Sequence, residues 1–385
     1  MAIFDTLLIN GTLTMITEIE TELAESSSLS MLLSSTMSSR EHTADVDVDI
    51  ISRHRTIVAV IWCIVAAIGL FGNALVVVSV VVDKKLQTTT NILVVNLAIA
   101  DFLTCLCLPV ECIMLLRKQG TSPIPNFVCA FVGGTIYTCI LCSISTLVAI
   151  AFIRWYVITK SVRVHQGILT PKKNIVVAVA IWVESLLITL VPSLFGIVEF
   201  GHSKFYSLCS IRDENPLRVY YILLQGVILI VALLAIGVFY ALIMAFVLRH
   251  NRDLRARLSS SSGNNAPYNS RNTMVSDTAA SSKGRSSAGA SGGQRPNAKE
   301  VIHKREVAIT KNLIAVVCVF AICYLPTGIS LVIPGAGALT LYAMMIGLAN
   351  NALNPIIYAL KHPIFQGVFK SLLLCRVSSL SSPEA

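Results

Sequence analysis

The chain contains 385 residues, of which 55% are hydrophobic and only 13% are charged, and it carries a formal net charge of +9. A water-soluble fold needs more charged surface than this, so the composition excludes an ordinary soluble protein and indicates a membrane protein. Neither of the two long polar segments, residues 1–55 and 251–304, shows an internal repeat or offers a soluble catalytic domain.

The first segment, residues 1–55, is acidic and rich in Ser and Thr. It lacks a basic segment followed by a compact apolar stretch, which predicts that no cleavable secretory signal is present. We therefore predict a flexible extracellular tail before the first membrane span, which can itself direct insertion. Asn10-Gly11-Thr12 matches the acceptor sequence for an N-linked glycan, so Asn10 is a candidate glycosylation site.

Seven long apolar stretches follow the tail. Each meets the roughly 20 residues that a spanning helix needs, and lipid requires every backbone hydrogen bond to be made within the segment. The sequence therefore predicts an all-α membrane protein with a seven-transmembrane helix bundle. The predicted spans cover residues 56–82, 91–116, 127–153, 174–198, 219–248, 305–333 and 335–360.

Basic residues are concentrated on one side of these spans. The segments after the first, third, fifth and seventh spans hold most of the Lys and Arg, whereas the other segments hold most of the Asp and Glu. Cytoplasmic loops collect basic residues, so we predict that the amino end lies outside and the carboxyl end lies in the cytosol. The expected location is the plasma membrane. The largest basic segment, residues 251–304, is dominated by Ser, Gly, Ala, Asn and Arg, which predicts a disordered cytoplasmic loop.

Two of the 11 cysteines differ from the rest in position. Most of the others fall inside apolar spans, where a thiol behaves as a small hydrophobe. Cys129 lies at the predicted outer start of the third span, and Cys209 is the only cysteine in the loop after the fourth. Both are expected to meet the oxidising compartment, so we predict a disulfide that ties this loop to the bundle. Two free thiols are the alternative.

Several polar residues lie at membrane depth, where an ionisable side chain is costly without partners or a cavity. Asp101 is near the middle of the second span, and four amide or hydroxyl side chains occupy the middle or inner half of other spans. Oxygen atoms converging on one carboxylate suit a small hard cation or a water cluster. Hydrogen bonding between helices is the alternative. The four side chains are Asn73, Ser143, Asn350 and Asn354.

Short motifs occur in order along the spans. They are Gly72-Asn73, Leu97-Ala98-Ile99-Ala100-Asp101, Cys129, Arg154, Trp182, Cys323-Tyr324-Leu325-Pro326 and Asn354-Pro355-Ile356-Ile357-Tyr358. Together, over residues 56–372, they resemble the rhodopsin-like (class A) G-protein-coupled receptors. The resemblance implies a two-state receptor, not an enzyme, in which an outer ligand shifts helix packing and the inner ends open for a heterotrimeric G protein. It also places the Asp101 cluster at the family's sodium site, so an allosteric sodium ion is the one cofactor expected.

The resemblance implies that four residues at the inner ends of the spans serve G-protein coupling. Arg154 is the expected centre, and Glu306 matches an acidic lock partner at the start of the sixth span. Tyr240 and Tyr358 match inner tyrosines that reorganise around the arginine in this family. Ile153 replaces the usual acidic residue before the arginine, which favours raised basal signalling.

The sixth span carries the expected switch between the two helix arrangements. Pro326 removes one backbone hydrogen bond and bends the helix, so the span can pivot. Phe320 precedes it by nearly two turns and faces the same seam. Tyr324 replaces the tryptophan common in the family, and Ala232 replaces the usual proline of the fifth span. Both departures weaken the transfer of the family's switching mechanism.

The family's ligand positions map to a largely apolar set of residues. An amine receptor would need a carboxylate at Ile136, and a retinal-binding opsin would need a lysine at Leu348, so both classes are disfavoured. Glu111 could contact a cationic group, although a water-facing charge at a helix end is the plainer explanation. Glu184 of the fourth span is expected to make an inward hydrogen bond. The mapped cavity residues are Ile136, Tyr137, Ile140, Leu224, Ile228, Tyr324, Thr327, Gly328, Met344 and Leu348.

Three functional classes remain open. The apolar cavity favours a neutral or lipid-like small molecule, and by resemblance a melatonin-receptor-like or related orphan receptor. A peptide receptor of the same fold would use the outer loops and leave little trace in the spans. A small transporter is the third class, but the sequence lacks inverted halves and paired broken helices.

The cytosolic side carries further candidate contacts. Arginines after the fifth span suit the anionic lipid of the bilayer or a G protein. Phosphates added to Ser259–Ser262 by a receptor kinase would reverse the local charge, which would release that contact or recruit an arrestin. A solvated Ser-rich linker is the alternative. Residues 361–372 resemble the family's short amphipathic helix, and Cys375 in the cytoplasmic tail of residues 373–385 is a candidate palmitoylation site. No nucleic-acid partner is expected.

Overall fold

The computed structural model describes residues 52–117, 124–160, 170–203, 206–262, 318–331, 333 and 337–374. The chain divides into residues 1–59 and residues 60–385. In the first unit only the first turns of helix α1 are described. The second unit holds every other feature reported below.

Within the described ranges the backbone forms eight α-helices and one antiparallel hairpin. Helices α1 to α5 and α7 are long and apolar enough to cross a membrane, and α6 is described over a shorter apolar stretch. The helices are α1 Ser52–Val82, α2 Asn91–Leu116, α3 Asn126–Thr159, α4 Pro171–Leu194, α5 Arg218–Ser262, α6 Cys318–Leu331, α7 Gly337–Lys361 and α8 Pro363–Leu373, and the strands are β1 Phe200–Ser203 and β2 Leu208–Ile211.

Two helices continue past the ends of the predicted spans. α3 runs beyond residue 153 to Thr159, and α5 runs to Ser262. The prediction that the disordered loop begins at residue 251 was therefore wrong. Residues 254–258 are all Leu, Arg or Ala, which favour a helix, and Gly263 is the first helix-breaking residue after this run.

Helix α3 lies at the centre of the second unit. It contacts α2, α4, α5 and both strands. Its buried residues are distributed around the helix axis rather than along one stripe, which is typical of a helix surrounded by protein. By contrast, α4 and α5 expose many large apolar side chains, as expected for helix faces in contact with lipid.

Glu184 is an exception on the exposed side of α4. Its side chain is exposed and has no hydrogen-bond partner among the described residues, so the expected inward hydrogen bond was wrong. The buried stripe of α4 is formed by Ile181, Ser185 and Thr189, which are spaced four residues apart. Glu184 lies outside this stripe because side chains four apart share one helix face.

Helices α1 and α7 approach closely at Gly72. A Cβ atom at this position would lie 2.7 Å from the Cβ of Pro355, so a larger side chain would force the helices apart. The next residue, Asn73, donates from Nδ2 to the backbone oxygens of Gly69 at 2.9 Å and of Asn351 at 2.8 Å. The absence of a side chain at Gly72 thus lets the Asn73 amide reach the main chain of α7.

Helix α8 is amphipathic, which confirms the prediction from the sequence. Phe365, Val368 and Phe369 are buried, at the spacing of one helix face. The ring of Phe365 stacks on Tyr358 with 5.5 Å between centroids, which ties α8 to the end of α7. His362 caps the helix, since its Nδ1 accepts from the backbone N–H of Phe365 at 3.5 Å.

Replacing Gly72 with alanine is expected to destabilise the protein relative to the same change at Gly134. A new Cβ at Gly72 would meet two Pro355 atoms at 2.7 and 2.9 Å, whereas nothing lies within 4 Å of a Cβ at Gly134. Overpacking costs about 1–3 kcal/mol, and both variants gain the same helix propensity of about 1 kcal/mol. The difference in free energy of unfolding therefore isolates the clash. Equal thermal midpoints for the two variants would contradict the close approach.

Candidate ligand cavity and polar network

A cavity of about 110 Å³ lies among α1, α2, α3, α5, α6, α7 and strand β2. Most of its walls are apolar, with a few polar groups. Concave, largely apolar sites with few polar groups are typical of small-molecule binding. The lining residues are Trp62, Glu111, Ile136, Tyr137, Ile140, Ile144, Leu208, Cys209, Ser210, Gln225, Leu229, Tyr324, Thr327, Leu331, Met344, Gly347 and Leu348.

Strand β2 covers the cavity at what we call the disulfide end. Cys209 of β2 is bonded to Cys129 of α3, which is the disulfide predicted from the sequence. A Cβ atom at Gly133 would lie 2.9 Å from the carbonyl oxygen of Cys209. Glycine at this position therefore allows the strand to lie directly against α3.

The hairpin that contains β2 was not predicted from the sequence. Its strands pair antiparallel, with Phe200 opposite Ile211, and segments this short show no clear alternating pattern. At the turn, Tyr206 forms a hydrogen bond with Thr340 of α7. Burial raises the pKa of Tyr206 above its ordinary value, and this hydrogen bond lowers it in part. Tyr206 is thus a neutral hydroxyl that joins the hairpin to α7.

Glu111 of α2 lies beneath the hairpin and lines the cavity. Only 2% of its surface is exposed, and its Oε2 accepts a hydrogen bond from the backbone N–H of Cys209 at 2.9 Å. The preferred expectation of a water-facing carboxylate was therefore wrong. The physical reason is the hairpin, which covers a helix end that would otherwise meet solvent.

Most of the residues mapped to the ligand cavity do line it, but Leu224, Ile228 and Gly328 do not. Leu224 is exposed on α5. Gly328 instead faces Leu229, whose Cδ2 is 3.2 Å from the position of a Cβ on that glycine. The mapped residues that line the cavity are Ile136, Tyr137, Ile140, Tyr324, Thr327, Met344 and Leu348.

On α5 the cavity is lined by Gln225 and Leu229, each one position after the mapped residue. One residue turns an α-helix by about 100°, which is enough to move Leu224 to the outer surface. α5 is unbroken through Ala232. The family pattern has a proline at this position, so the cavity positions transferred from that pattern are displaced by one residue on α5. The amide of Gln225, which donates to the Tyr221 hydroxyl at 2.8 Å, is the polar signal in an apolar run that marks the inner face.

Asp101 joins three helices. Its Oδ1 accepts from the Ser143 hydroxyl of α3 at 3.1 Å, and its Oδ2 accepts from Nδ2 of Asn354 in α7 at 2.7 Å. The carboxylate is fully buried. Three of the five predicted cluster residues are therefore bonded to one another.

The other two predicted members, Asn73 and Asn350, are buried but are not bonded to Asp101. Neither side-chain polar atom of Asn350 has a hydrogen-bond partner among the described residues, and the same holds for Oδ1 of Asn73 and of Asn354. Buried polar atoms without partners are unfavourable. These atoms thus leave hydrogen-bonding and ligating capacity around the Asp101 carboxylate.

Two packed rings connect the cavity with the other end of the bundle. Tyr324 lines the cavity, and its ring centroid is 4.6 Å from that of Phe320. Both belong to a core cluster that also contains Tyr240 and Tyr358. Pro326, which lacks a backbone donor, lies two residues after Tyr324 within α6.

Arg154 defines what we call the Arg154 end of the bundle. It lies near the end of α3, is 6% exposed, and its charge acts on Tyr240 of α5. The hydroxyls of Tyr240 and Tyr358 have no hydrogen-bond partner within the described part of the chain. Three predicted sites lie outside the described residues, namely Glu306, Asn10 and Cys375.

A second polar link, between α2, α3 and α4, was not predicted. Asn96 donates from Nδ2 to the Thr146 hydroxyl at 2.8 Å, and the Trp182 indole N–H donates to Oδ1 of Asn96 at 2.9 Å. Both atoms of one amide are therefore used to hold two neighbouring helices. A lone amide within an apolar span was the signal that could have found it.

Comparisons with known proteins agree on one family. Residues 72–358 match the family described as 7 transmembrane receptor (rhodopsin family). A Gq-coupled rhodopsin from Mizuhopecten yessoensis is 27% identical over 80% of this chain, which spans only 58% of the length of that rhodopsin. A QRFP-like peptide receptor from Branchiostoma floridae is 27% identical over 86% of this chain and 80% of that receptor. The 5-hydroxytryptamine receptor 1B from Homo sapiens is 27% identical over 80% of this chain and 83% of that receptor.

Among solved structures, a crystal structure of squid rhodopsin is similar with a TM-score of 0.63. The likeness covers 86% of this chain and 89% of that chain at 19% sequence identity. A likeness at this identity shows the fold alone. The predicted seven-transmembrane bundle is thereby confirmed.

Removing the Asn96 side chain is expected to lower the free energy of unfolding by about 1–3 kcal/mol, because the N–H of Trp182 loses its acceptor within an apolar span. The change Asn96→Leu should cost less in a Trp182→Phe background, where that N–H is absent. Coupled pairs differ from additivity by about 0.5–3 kcal/mol. Denaturant unfolding of wild type, the two single variants and the double variant measures the coupling free energy between Asn96 and Trp182. Strict additivity would show that the bond contributes nothing.

Proposed function

The chain belongs to the rhodopsin family of seven-transmembrane receptors, which are not enzymes, and we propose that it converts ligand binding in the cavity into activation of a heterotrimeric G protein. The observation that carries the proposal is the buried connection between the two ends. Tyr324 lines the cavity and packs on Phe320, and both belong to one core cluster with Tyr240 and Tyr358. Packed side chains of this kind can transmit a rearrangement between distant sites.

The disulfide end faces outside the cell, at the plasma membrane, and the Arg154 end faces the cytosol. A disulfide persists in an oxidising compartment, and the Cys129–Cys209 bond lies at the end covered by the hairpin. Exposed lysines at the opposite end agree with the enrichment of basic residues in cytoplasmic loops. These lysines are Lys84, Lys85, Lys172 and Lys173.

The coupling step involves the buried hydroxyls of Tyr240 and Tyr358. Neither hydroxyl has a partner among the described residues in this arrangement, which is unfavourable in a low-dielectric interior. An arrangement in which both bond to Arg154 or to water removes that penalty. The ligand shifts the population toward it by binding it more tightly, since equal affinity for both arrangements would shift nothing. The helix ends then move apart and the G protein contacts Arg154.

A sodium ion in the Asp101 cluster stabilises the inactive arrangement in this proposal. Hard cations bind oxygen ligands, and the cluster offers the Asp101 carboxylate, the Ser143 hydroxyl and the unpartnered Oδ1 atoms of Asn73 and Asn350. The residues present therefore fit the ion. When bound, it would neutralise the carboxylate and hold α2, α3 and α7 together.

The body of the ligand is apolar, because most of the cavity wall is apolar. Leu348 lines the cavity where a retinal Schiff base would need a lysine, and Ile136 lines it where an amine receptor would carry its carboxylate. Neither of those two binding modes fits these positions. The cavity volume of about 110 Å³ favours a small ligand, since an engineered cavity of about 150 Å³ holds benzene.

A peptide ligand is the second candidate, supported by the similarity to a QRFP-like peptide receptor. A peptide would meet the disulfide end first, where Arg212 forms exposed ion pairs with Glu199 and Glu214. Its affinity would depend on these charges and on salt, whereas a small ligand in the cavity would be insensitive to an Arg212→Ala change.

The variant Arg154→Ala is expected to lower guanine-nucleotide exchange by about tenfold or more. Loss of a charged hydrogen bond costs about 1.5–3 kcal/mol, and about 1.4 kcal/mol corresponds to a factor of ten. Exchange on a panel of purified heterotrimeric G proteins, measured without added ligand in lipid vesicles, tests this. Arg212→Ala, at the opposite end, should leave exchange unchanged. Identical exchange by wild type and Arg154→Ala would contradict the coupling role, and ion flux in the same vesicles would favour a transporter.

Sodium is expected to raise the unfolding temperature of the wild-type protein relative to choline at equal ionic strength. A ligand present at ten times its Kd stabilises by about 1.4 kcal/mol. The increase should disappear in Asp101→Asn, which retains the shape of the side chain without its charge. Glu184→Gln removes an acid outside the cluster and should retain the increase. An undiminished sodium effect in Asp101→Asn would exclude the proposed site.

A further inference from the structure

One carboxylate oxygen in the ligand cavity has no hydrogen-bond partner among the residues that the structure describes. Glu111 is 2% exposed and lines the cavity. Its Oε2 is held by the backbone N–H of Cys209 at 2.9 Å. Its Oε1 is buried and has no hydrogen-bond partner within the described residues. The side chain is thus fixed in place by one oxygen while the other remains available to a donor.

Nothing among the described lining residues supplies a positive charge to this carboxylate. None of the described residues that line the cavity is Lys, Arg or His, and several of the other polar lining groups already have partners. Gln225 donates to Tyr221, Thr327 donates to the backbone oxygen of Ala343 at 2.7 Å, and the Tyr137 and Ser210 hydroxyls are 3.4 Å apart. A buried carboxylate without a cation or donor is strongly unfavourable. A donor that enters the cavity would remove this penalty.

We propose that the ligand carries a protonated amine that donates to Oε1 of Glu111, with its compact apolar body along the remaining cavity wall. The proposal rests on the proposed function, because it assumes that this cavity is the ligand site. It replaces the expectation of a wholly neutral ligand by an apolar molecule with one cationic group. The amine is anchored on α2, one helix away from Ile136 on α3, the position at which the family resemblance implies that an amine receptor would carry its carboxylate.

The geometry also indicates which parts of the protein this contact would join. Because Oε2 of Glu111 holds the Cys209 amide, an amine on Oε1 joins the ligand to β2 and, through the disulfide, to α3. The Trp62 indole N–H and the Tyr324 hydroxyl are the other lining side-chain polar groups without a partner among the described residues. A ligand that occupies the cavity from Glu111 toward Tyr324 would contact the ring that packs on Phe320.

The test compares benzylamine, which is protonated at neutral pH, with benzyl alcohol, which has the same shape and no charge. Binding is measured as the shift in unfolding temperature of the full chain in lipid nanodiscs, over a concentration series of each probe. We expect wild type to bind benzylamine about tenfold or more tightly than benzyl alcohol, because a hydrogen bond between ions is stronger than a neutral one. The absence of an amine preference in wild type overturns the proposal, and this comparison requires no variant.

Two variants locate the contact. Glu111→Gln keeps an acceptor for the Cys209 amide and removes the charge, so it should bind the two probes equally. Glu184→Gln removes an exposed acid elsewhere in the bundle and should keep the wild-type preference. A preference retained in Glu111→Gln, or lost in Glu184→Gln, overturns the assignment to Glu111.

The outcome is separable from that of the proposed function. Nucleotide exchange by wild type and Arg154→Ala, measured on the same preparations, tests coupling without either probe. Loss of exchange with an intact amine preference would remove the G-protein role and leave the cavity site. Normal exchange without an amine preference would remove the amine site and leave the receptor function.

Discussion

Lipid gives a buried polar group no water to bond with, and this constraint organises the structure. Each polar side chain within a span must find a partner on another helix or remain available to something that enters. Asp101 has partners on two other helices: it accepts hydrogen bonds from Ser143 and Asn354, which joins α2, α3 and α7. Asn96 of α2 likewise joins α2 to α3 through Thr146 and to α4 through Trp182. Polar contacts of this kind determine which helices are neighbours and how they are rotated.

The disulfide end shows how close backbone approach shapes a site. Cys129 and Cys209 bind β2 to α3, and Gly133 leaves room for the strand to lie against the helix. The hairpin then covers the space between the helices, so that an open cleft becomes a cavity. The same cover removes water from Glu111, and a carboxylate that would be unremarkable at a solvated helix end becomes the most polar feature of an apolar wall.

Many of the buried polar atoms without partners in the described residues lie in the cavity, in the Asp101 cluster and at the Arg154 end. They occur in the cavity at Glu111 and Tyr324, in the polar cluster at Asn350, and at the Arg154 end on Tyr240 and Tyr358. A structure optimised only for stability would pair them, since each unpaired atom is unfavourable. A ligand, an ion or a second arrangement of the helices would satisfy them.

The sequence by itself determined the seven apolar spans, the disulfide pair, and the placement of Asp101 and Arg154, because hydropathy, charge and short motifs are local properties of the chain. It did not determine which face of each helix points into the bundle. The tertiary structure decided that Gln225 rather than its neighbour lines the cavity and that Glu184 is exposed, since a rotation of about 100° per residue is settled by packing against other helices. The burial of Glu111 likewise followed from a hairpin distant in sequence, whose contact with α2 no local pattern contains.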